Sequence, residues 1–360
     1  MAFYDGSGRF IKIVPSEQEK KLINRLVGYE IPGWSELNAD FANVLRNTVT
    51  AWMTEHGGSP KKIPLFVSTD HHGTQLGNNG PMLFELVGDI INWDNVSAAA
   101  NLGDTTEGLK PYYLDIFAKI PPEKQINVWG NHEAWGAYDF NSTEPFDNAK
   151  VSSEYSVYYP CGRTHGYDRF GNRVIKDAVF KVKYLVISCF EYLNLDNENA
   201  HQYNRIGTEA MDFIISNMEE NDGYKLVILS HVPLLYGSWR ITGCPYDATL
   251  AGIDSDPFFA ARKTGGSGTI VDSDGVEHIY DFSGCAEDSP FICAINGHVH
   301  TDGHAYINDD VLCVSLDRYY PNDIVHFLLI DLENNQINVW KVDNTPQAQN
   351  YQIPLTKPAE

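Results

Sequence analysis

From residue 62 onward, nine short apolar runs punctuate the chain: Ile63–Ser68, Ala98–Leu102, Ile126–Trp129, Tyr184–Ser188, Leu226–Ser230, Phe291–Asn296, Val311–Ser315, Phe327–Asp331 and Ile337–Lys341. Each is rich in Val, Ile, Leu or Ala and bounded by polar residues or glycine, the signature of strands buried on both faces. A helical pattern falls between some of them, as at Thr208–Met218. Such an alternation predicts an α/β fold with at least one well-covered sheet. Residues 1–58 have a different texture and read as a mostly helical N-terminal extension. Ser16–Val27 opens with a Ser-Glu-Gln-Glu start, and Ser35–His56 spaces Leu37, Phe41, Val44, Leu45, Val49 and Trp52 at helical intervals. Gly57-Gly58-Ser59-Pro60 breaks that pattern. The catalytic domain is expected over 59–345, with inserts at 134–180 and 236–290, and a C-terminal tail over 346–360. Stretches as long and irregular as the two inserts are functional or carry small structure of their own.

The chemistry gathers where the runs end. Ile63–Ser68 leads into Thr69-Asp70-His71-His72-Gly73, and Ala98–Leu102 into Gly103-Asp104-Thr105-Thr106-Glu107-Gly108. Ile126–Trp129 leads into Gly130-Asn131-His132-Glu133, Leu226–Ser230 into His231-Val232-Pro233, and Phe291–Asn296 into Gly297-His298-Val299-His300. In α/β sheets, sites form beyond the carboxyl ends of strands. The donors assembled there are the carboxylates Asp70 and Asp104, the amide Asn131, and the imidazoles His72, His231, His298 and His300. Seven oxygen or nitrogen donors without sulfur exceed the four of one tetrahedral zinc and suit two divalent ions.

The ordered set D-x-H, G-D-x-x-E, G-N-H-E, H and G-H-x-H resembles the calcineurin-like metallophosphoesterase family, and is most similar to its bacterial and phage phosphodiesterase-like members. The likeness spans residues 62 to about 341. It implies a sandwich of two mixed β-sheets flanked by helices, with two divalent ions (Mn, Fe or Zn) at the sheet edges. Asp70, His72 and His300 would hold one ion and Asn131, His231 and His298 the other, with Asp104 as the bridge. His132 would be the acid beside the leaving group, and Glu107 would orient ligands from behind. His71 occupies the free position of D-x-H, and its side chain is expected to point away from His72. Two divalent ions outweigh two carboxylates, so the site attracts a phosphate anion even on an acidic protein. The ions lower the pKa of a shared water, and the hydroxide so formed attacks phosphorus. The expected activity is phosphoric ester hydrolysis, with phosphodiesters favoured because His132 is present to protonate a poor leaving group. A phosphomonoesterase such as a nucleotidase is the alternative, and so is a phage structural protein that retains the fold. In protein Ser/Thr phosphatases an Arg follows the second motif, whereas Gly108 follows Glu107 here.

The net charge of −22 argues against an extended nucleic-acid contact and against a polybasic membrane attachment. A small phosphate ester is therefore the expected partner, with a protein partner for residues 1–58 as a second expectation. The six cysteines include no C-x-x-C pair, and no signal-peptide pattern opens the chain, so a reducing, cytoplasmic location is expected. Gly265-Gly266-Ser267-Gly268 reads as a flexible loop, because no Gly-Lys-Ser/Thr follows it. His165, His201, His278, His304 and His326 read as surface or packing residues, and the cluster Tyr155, Tyr158, Tyr159, Tyr167 and Phe170 as local packing. Tyr236, Trp239 and Arg240 follow the His231 loop and are candidates for the pocket rim, Arg240 for a phosphate oxygen.

Overall fold

Alternation along Lys62–Ser68 sets the layers. Ile63, Leu65 and Val67 face one core and Phe66 faces a second, as the two-residue period of a strand requires. The computed structural model describes residues 3–4, 10–11, 39–72, 80–104, 119–128, 130, 172–187, 208–219, 222–233, 266–271, 277–281, 283, 291–307, 311–319, 323–343 and 348–358. The chain divides into two compact units, Met1–Glu36 and Leu37–Glu360. In the first, β1 (Phe3–Tyr4) pairs antiparallel with β2 (Phe10–Ile11). The helix expected over Ser16–Val27 lies outside the described residues.

The second unit holds two six-stranded sheets. The first contains β3 (Lys62–Ser68), β4 (Ala98–Asn101), β5 (Gln125–Asn127), β14 (Val325–Asp331), β15 (Gln336–Val342) and β16 (Gln349–Pro354), in the order β16-β15-β14-β3-β4-β5. The second contains β6 (Arg173–Asp177), β7 (Val182–Ile187), β8 (Lys225–Ser230), β11 (Phe291–Asn296), β12 (Gly303–Ile307) and β13 (Val311–Ser315), in the order β12-β13-β11-β8-β7-β6. Both are mixed. The strands β3, β4 and β5 run parallel, as do β7, β8, β11 and β13, and the remaining pairings are antiparallel. A hairpin of β9 (Ser267–Val271) and β10 (Glu277–Asp281) stands apart from both. It begins within the Gly265–Gly268 stretch, so Ser267 and Gly268 are strand residues and not the flexible loop expected from their glycines. The 346–360 tail contains β16, which places Ile353 and Leu355 in the core.

The core between the sheets is aliphatic. Leu65, Val67, Leu328, Ile330 and Val339 from the first sheet meet Val186, Val227, Leu229, Ile295 and Val314 from the second. The core on the outer face of the first sheet is aromatic: Phe66, Phe327 and Trp340 pack with Phe41, Trp52 and Phe84. The last three come from α1 (Ala39–His56) and α2 (Gly80–Ile90). Helical spacing in α1 buries Phe41, Leu45, Val49 and Trp52 while Arg46, Asn47 and Thr50 stay exposed. Gly57 ends it with left-handed backbone (φ 58°) and an N–H donated to the Met53 carbonyl at 3.2 Å. The Trp52 indole N–H donates to the Leu328 carbonyl across 276 residues at 2.9 Å, which fixes the helix on the sheet. On the outer face of the second sheet, Lys183 is fully buried and donates to the Asn217 carbonyl of α3 (Thr208–Glu219) at 3.1 Å. Among the described residues no helix is long and apolar enough to cross a membrane.

Candidate metal centre

Parallel strands bring their carboxyl ends to one edge of their sheet, so the exits of β3 and β4 lie together, as do those of β8 and β11. The first pair of exits carries Asp70, His72 and Asp104; the second carries His231, His298 and His300. Backbone hydrogen bonds knit these exits. Asp70 N–H donates to the Gly103 carbonyl (2.9 Å), His72 N–H to the Asp104 carbonyl (2.8 Å), and Gly297 N–H to the His231 carbonyl (3.1 Å).

The six side chains fall into two groups, Asp70–His72–His300 and Asp104–His231–His298, with candidate donor atoms in each within 4.8 Å of one another. In the first, His300 Nε2 lies 3.0 Å from Asp70 Oδ1 and 3.3 Å from His72 Nε2. In the second, His231 Nε2 lies 3.2 Å from Asp104 Oδ2 and 3.1 Å from His298 Nδ1. Each group draws on both sheets. Asp70, Asp104 and His231 are at most 1% exposed.

Hydrogen bonds aim the donors. Asp70 Oδ2 accepts from the Thr69 hydroxyl (2.6 Å) and the His298 backbone N–H (2.9 Å), which turns Oδ1 toward the imidazoles. His231 Nδ1 lies 2.8 Å from the Leu102 carbonyl. A carbonyl only accepts, so Nδ1 carries the hydrogen and the Nε2 lone pair faces the group. Burial pushes the Asp70 carboxyl up, but His231, His300 and His72 outweigh it and hold the carboxyl well below the usual carboxylate range. Burial and the neighbouring His231 lower His298 to about 4. An ionised Asp70 beside a neutral His298 is in the protonation state that binds a divalent cation. With oxygen and nitrogen donors and no sulfur, the two groups are compatible with two hard or borderline metal ions.

Backbone strain is concentrated here. Asp70 (φ 54°), His72 (47°), Asp104 (51°), His298 (66°) and His300 (57°) all occupy the left-handed region. A non-glycine residue there costs roughly 1–3 kcal/mol and persists where the surroundings over-determine it, as at functional sites. Two glycines permit the close approach. A Cβ on Gly130 would collide with the Asp104 carboxylate, and one on Gly297 with the Thr69 hydroxyl.

His71 takes no part in either group. It is fully buried, stacks on Tyr319 (centroids 4.5 Å apart, 22° between planes) and lies 3.1 Å from Ser68 Oγ through Nε2. Burial lowers it to about 3. His304 is exposed on β12, and His326 is buried beside Asp302. Asn131, His132, Glu107, Tyr236, Trp239 and Arg240 lie outside the described residues, as do the aromatic cluster at 155–170, His165 and His201. Thr69 and Arg318 escaped the sequence reading. Thr69 orients Asp70, and the Arg318 guanidinium reaches His300, with Nη1 3.2 Å from Nδ1. Arg318 also follows an apolar run, 311–315, which is the signal that would have found it.

No protein-family model matches the chain, and no curated protein matches it by sequence. Among solved structures it is similar to a dimetal phosphatase from Danio rerio, with 13% identity, 82% of this chain and 99% of that chain covered, and a TM-score of 0.51. It also aligns with GAP50, the anchor in the inner membrane complex of Plasmodium, at 11% identity over 83% of this chain and 90% of that one, with a TM-score of 0.44. The first likeness shows the fold: an α/β sandwich of two mixed sheets, shared with that dimetal phosphatase.

Proposed function

We propose that this chain is a metal-dependent phosphoric ester hydrolase, acting on phosphodiesters. The observation that carries the reading is the pair of Asp/His groups at the sheet edges, each with two buried residues and one half-buried histidine and with donor atoms converging within 4.8 Å. The fold shared with a dimetal phosphatase supports it. Asp70, His72 and His300 would hold one ion. Asp104, His231 and His298 would hold the other together with Asn131, and Asp104 would also contact the first. Bound there, two divalent ions, manganese first among the candidates, supply Lewis acidity toward phosphoryl oxygens and an acidified water. The protein's part is to hold these donors fixed before substrate arrives. Thr69 and the His298 backbone fix Asp70, and the Leu102 carbonyl fixes His231. His132 would pass a proton to the departing ester oxygen, a step worth about 10²–10⁴-fold when the leaving group is poor. Glu107 would orient ligands from behind, and Tyr236, Trp239 and Arg240 would rim the pocket.

The test is hydrolysis of bis-nitrophenyl phosphate and nitrophenyl phosphate by the full chain with added manganese. The expected result is turnover of the diester above the monoester, abolished by a chelator. Monoester turnover alone would correct the substrate class, and no turnover of either by manganese-loaded protein would contradict the reading.

A further inference from the structure

β13 runs parallel to β11 with Asn296 opposite Ser315, so the chain leaving β13 emerges at the same edge as His298 and His300. Successive residues of that exit are pinned. Leu316 N–H donates to the Asn296 carbonyl (3.0 Å), Asp317 N–H to Asp302 Oδ1 (3.0 Å), Arg318 N–H to Asp317 Oδ1 (2.9 Å) and Tyr319 N–H to the Thr69 carbonyl (2.8 Å). Tyr319 stacks on His71, and Thr69 is the residue that orients Asp70. Arg318 is thus presented from a segment fastened to both halves of the centre.

Two carboxylates stand near it, and both are taken. Asp302 is engaged by His326 Nε2 (2.9 Å) and Lys341 Nζ (2.7 Å), and Asp317 by the same Lys341 Nζ (2.8 Å). Burial pushes the Asp302 carboxyl up, but His326 and Lys341 outweigh it and hold it well below the carboxylate range. Arg318 has no carboxylate within ion-pair distance among the described residues; its guanidinium meets only His300 Nδ1 at 3.2 Å. In a chain of net charge −22, this is a permanently charged, five-donor fork with no carboxylate counter-ion among the described residues, beside a candidate metal ligand. A ring that gives Nε2 to a cation carries its hydrogen on Nδ1, where it would face a donor. The fork then needs another acceptor, and its geometry matches two oxygens of one phosphate.

We propose that Arg318 is an anion-binding residue of this centre, gripping non-bridging oxygens of the phosphate ester and of the phosphate it leaves. The inference rests on the phosphoric ester reading above and names its recognition element on the His300 side. The experiment measures, on full-length protein, bound manganese by elemental analysis and inorganic phosphate affinity by calorimetry. The wild type is compared with Arg318→Ala, Arg318→Gln and Arg318→Lys. Two ions are expected in every protein. Phosphate affinity should fall about 10- to 100-fold in the Ala and Gln variants, the scale of a hydrogen bond to a charged group, with part recovered by Lys. Unchanged phosphate affinity in Arg318→Gln with both ions present would overturn the proposal. So would loss of an ion in that variant, which would make Arg318 a positioning residue for His300. A wild type that takes up no manganese defeats the metal reading itself, before any variant is compared.

Discussion

The two sheets contribute unequally to the centre. The exits of the first supply both carboxylates and one imidazole, Asp70, Asp104 and His72; the exits of the second supply three imidazoles, His231, His298 and His300. Both carboxylates come from one sheet and three of the four imidazoles from the other, and each group of three needs both. Neither sheet carries a complete set, so the site exists only where the aliphatic core holds the sheets at the right separation. The joint is close. The His298 backbone N–H, from the second sheet, donates to Asp70 of the first at 2.9 Å, and Gly297 has no room for a Cβ against Thr69.

Three substitutions break or sharpen this contrast, in falling order of effect on the site. Asp104→Asn removes a charge that only the first sheet supplies. Activity should drop by at least about 100-fold, the scale for losing a key electrostatic group, while the circular dichroism spectrum stays that of the wild type. Activity within a few-fold at saturating manganese would remove Asp104 from the centre. Gly297→Ala acts at the joint. Overpacking costs about 1–3 kcal/mol, and separating His298 from Asp70 should weaken manganese binding about tenfold, read by calorimetric titration. Unaltered affinity would show that the two exits move independently. Trp52→Ala acts on the outer, aromatic core of the first sheet, away from the joint. It should cost about 3–5 kcal/mol of stability, seen as a lower Tm, yet leave metal content at saturation unchanged. Loss of metal from protein that is still folded would tie α1 to the site.

What the sequence made legible follows burial. The central strands β3, β8 and β14 are buried almost throughout and read as plain apolar runs. The strands that escaped are the two-residue pair β1 and β2, the edge strands β6, β12 and β16, and the small hairpin β9–β10. Arg173–Asp177 and Gln349–Pro354 keep one side toward solvent, so polar residues interrupt their pattern and no continuous run appears. The aromatic helix face was legible at Phe41, Leu45, Val49 and Trp52 because its period is 3.6, but the surface it covers, Phe66, Phe327 and Trp340, was not. Within the site, residue types and their places at strand exits were legible. The hydrogen bonds that aim them were less so, since the Leu102 carbonyl and the His298 N–H are backbone groups with no side-chain signature. Nor could spacing reveal that Lys341 and His326 occupy Asp302 while Arg318 is left to His300, because that depends on which strands lie adjacent.

The central claim is that two sheets jointly build a centre for two divalent ions. Elemental analysis of the full-length wild-type protein, loaded with manganese and freed of excess metal, tests it most directly. Two ions per chain are expected, with both sites weakened together in Asp104→Asn. A stoichiometry near one, or none, in folded wild-type protein would contradict the account.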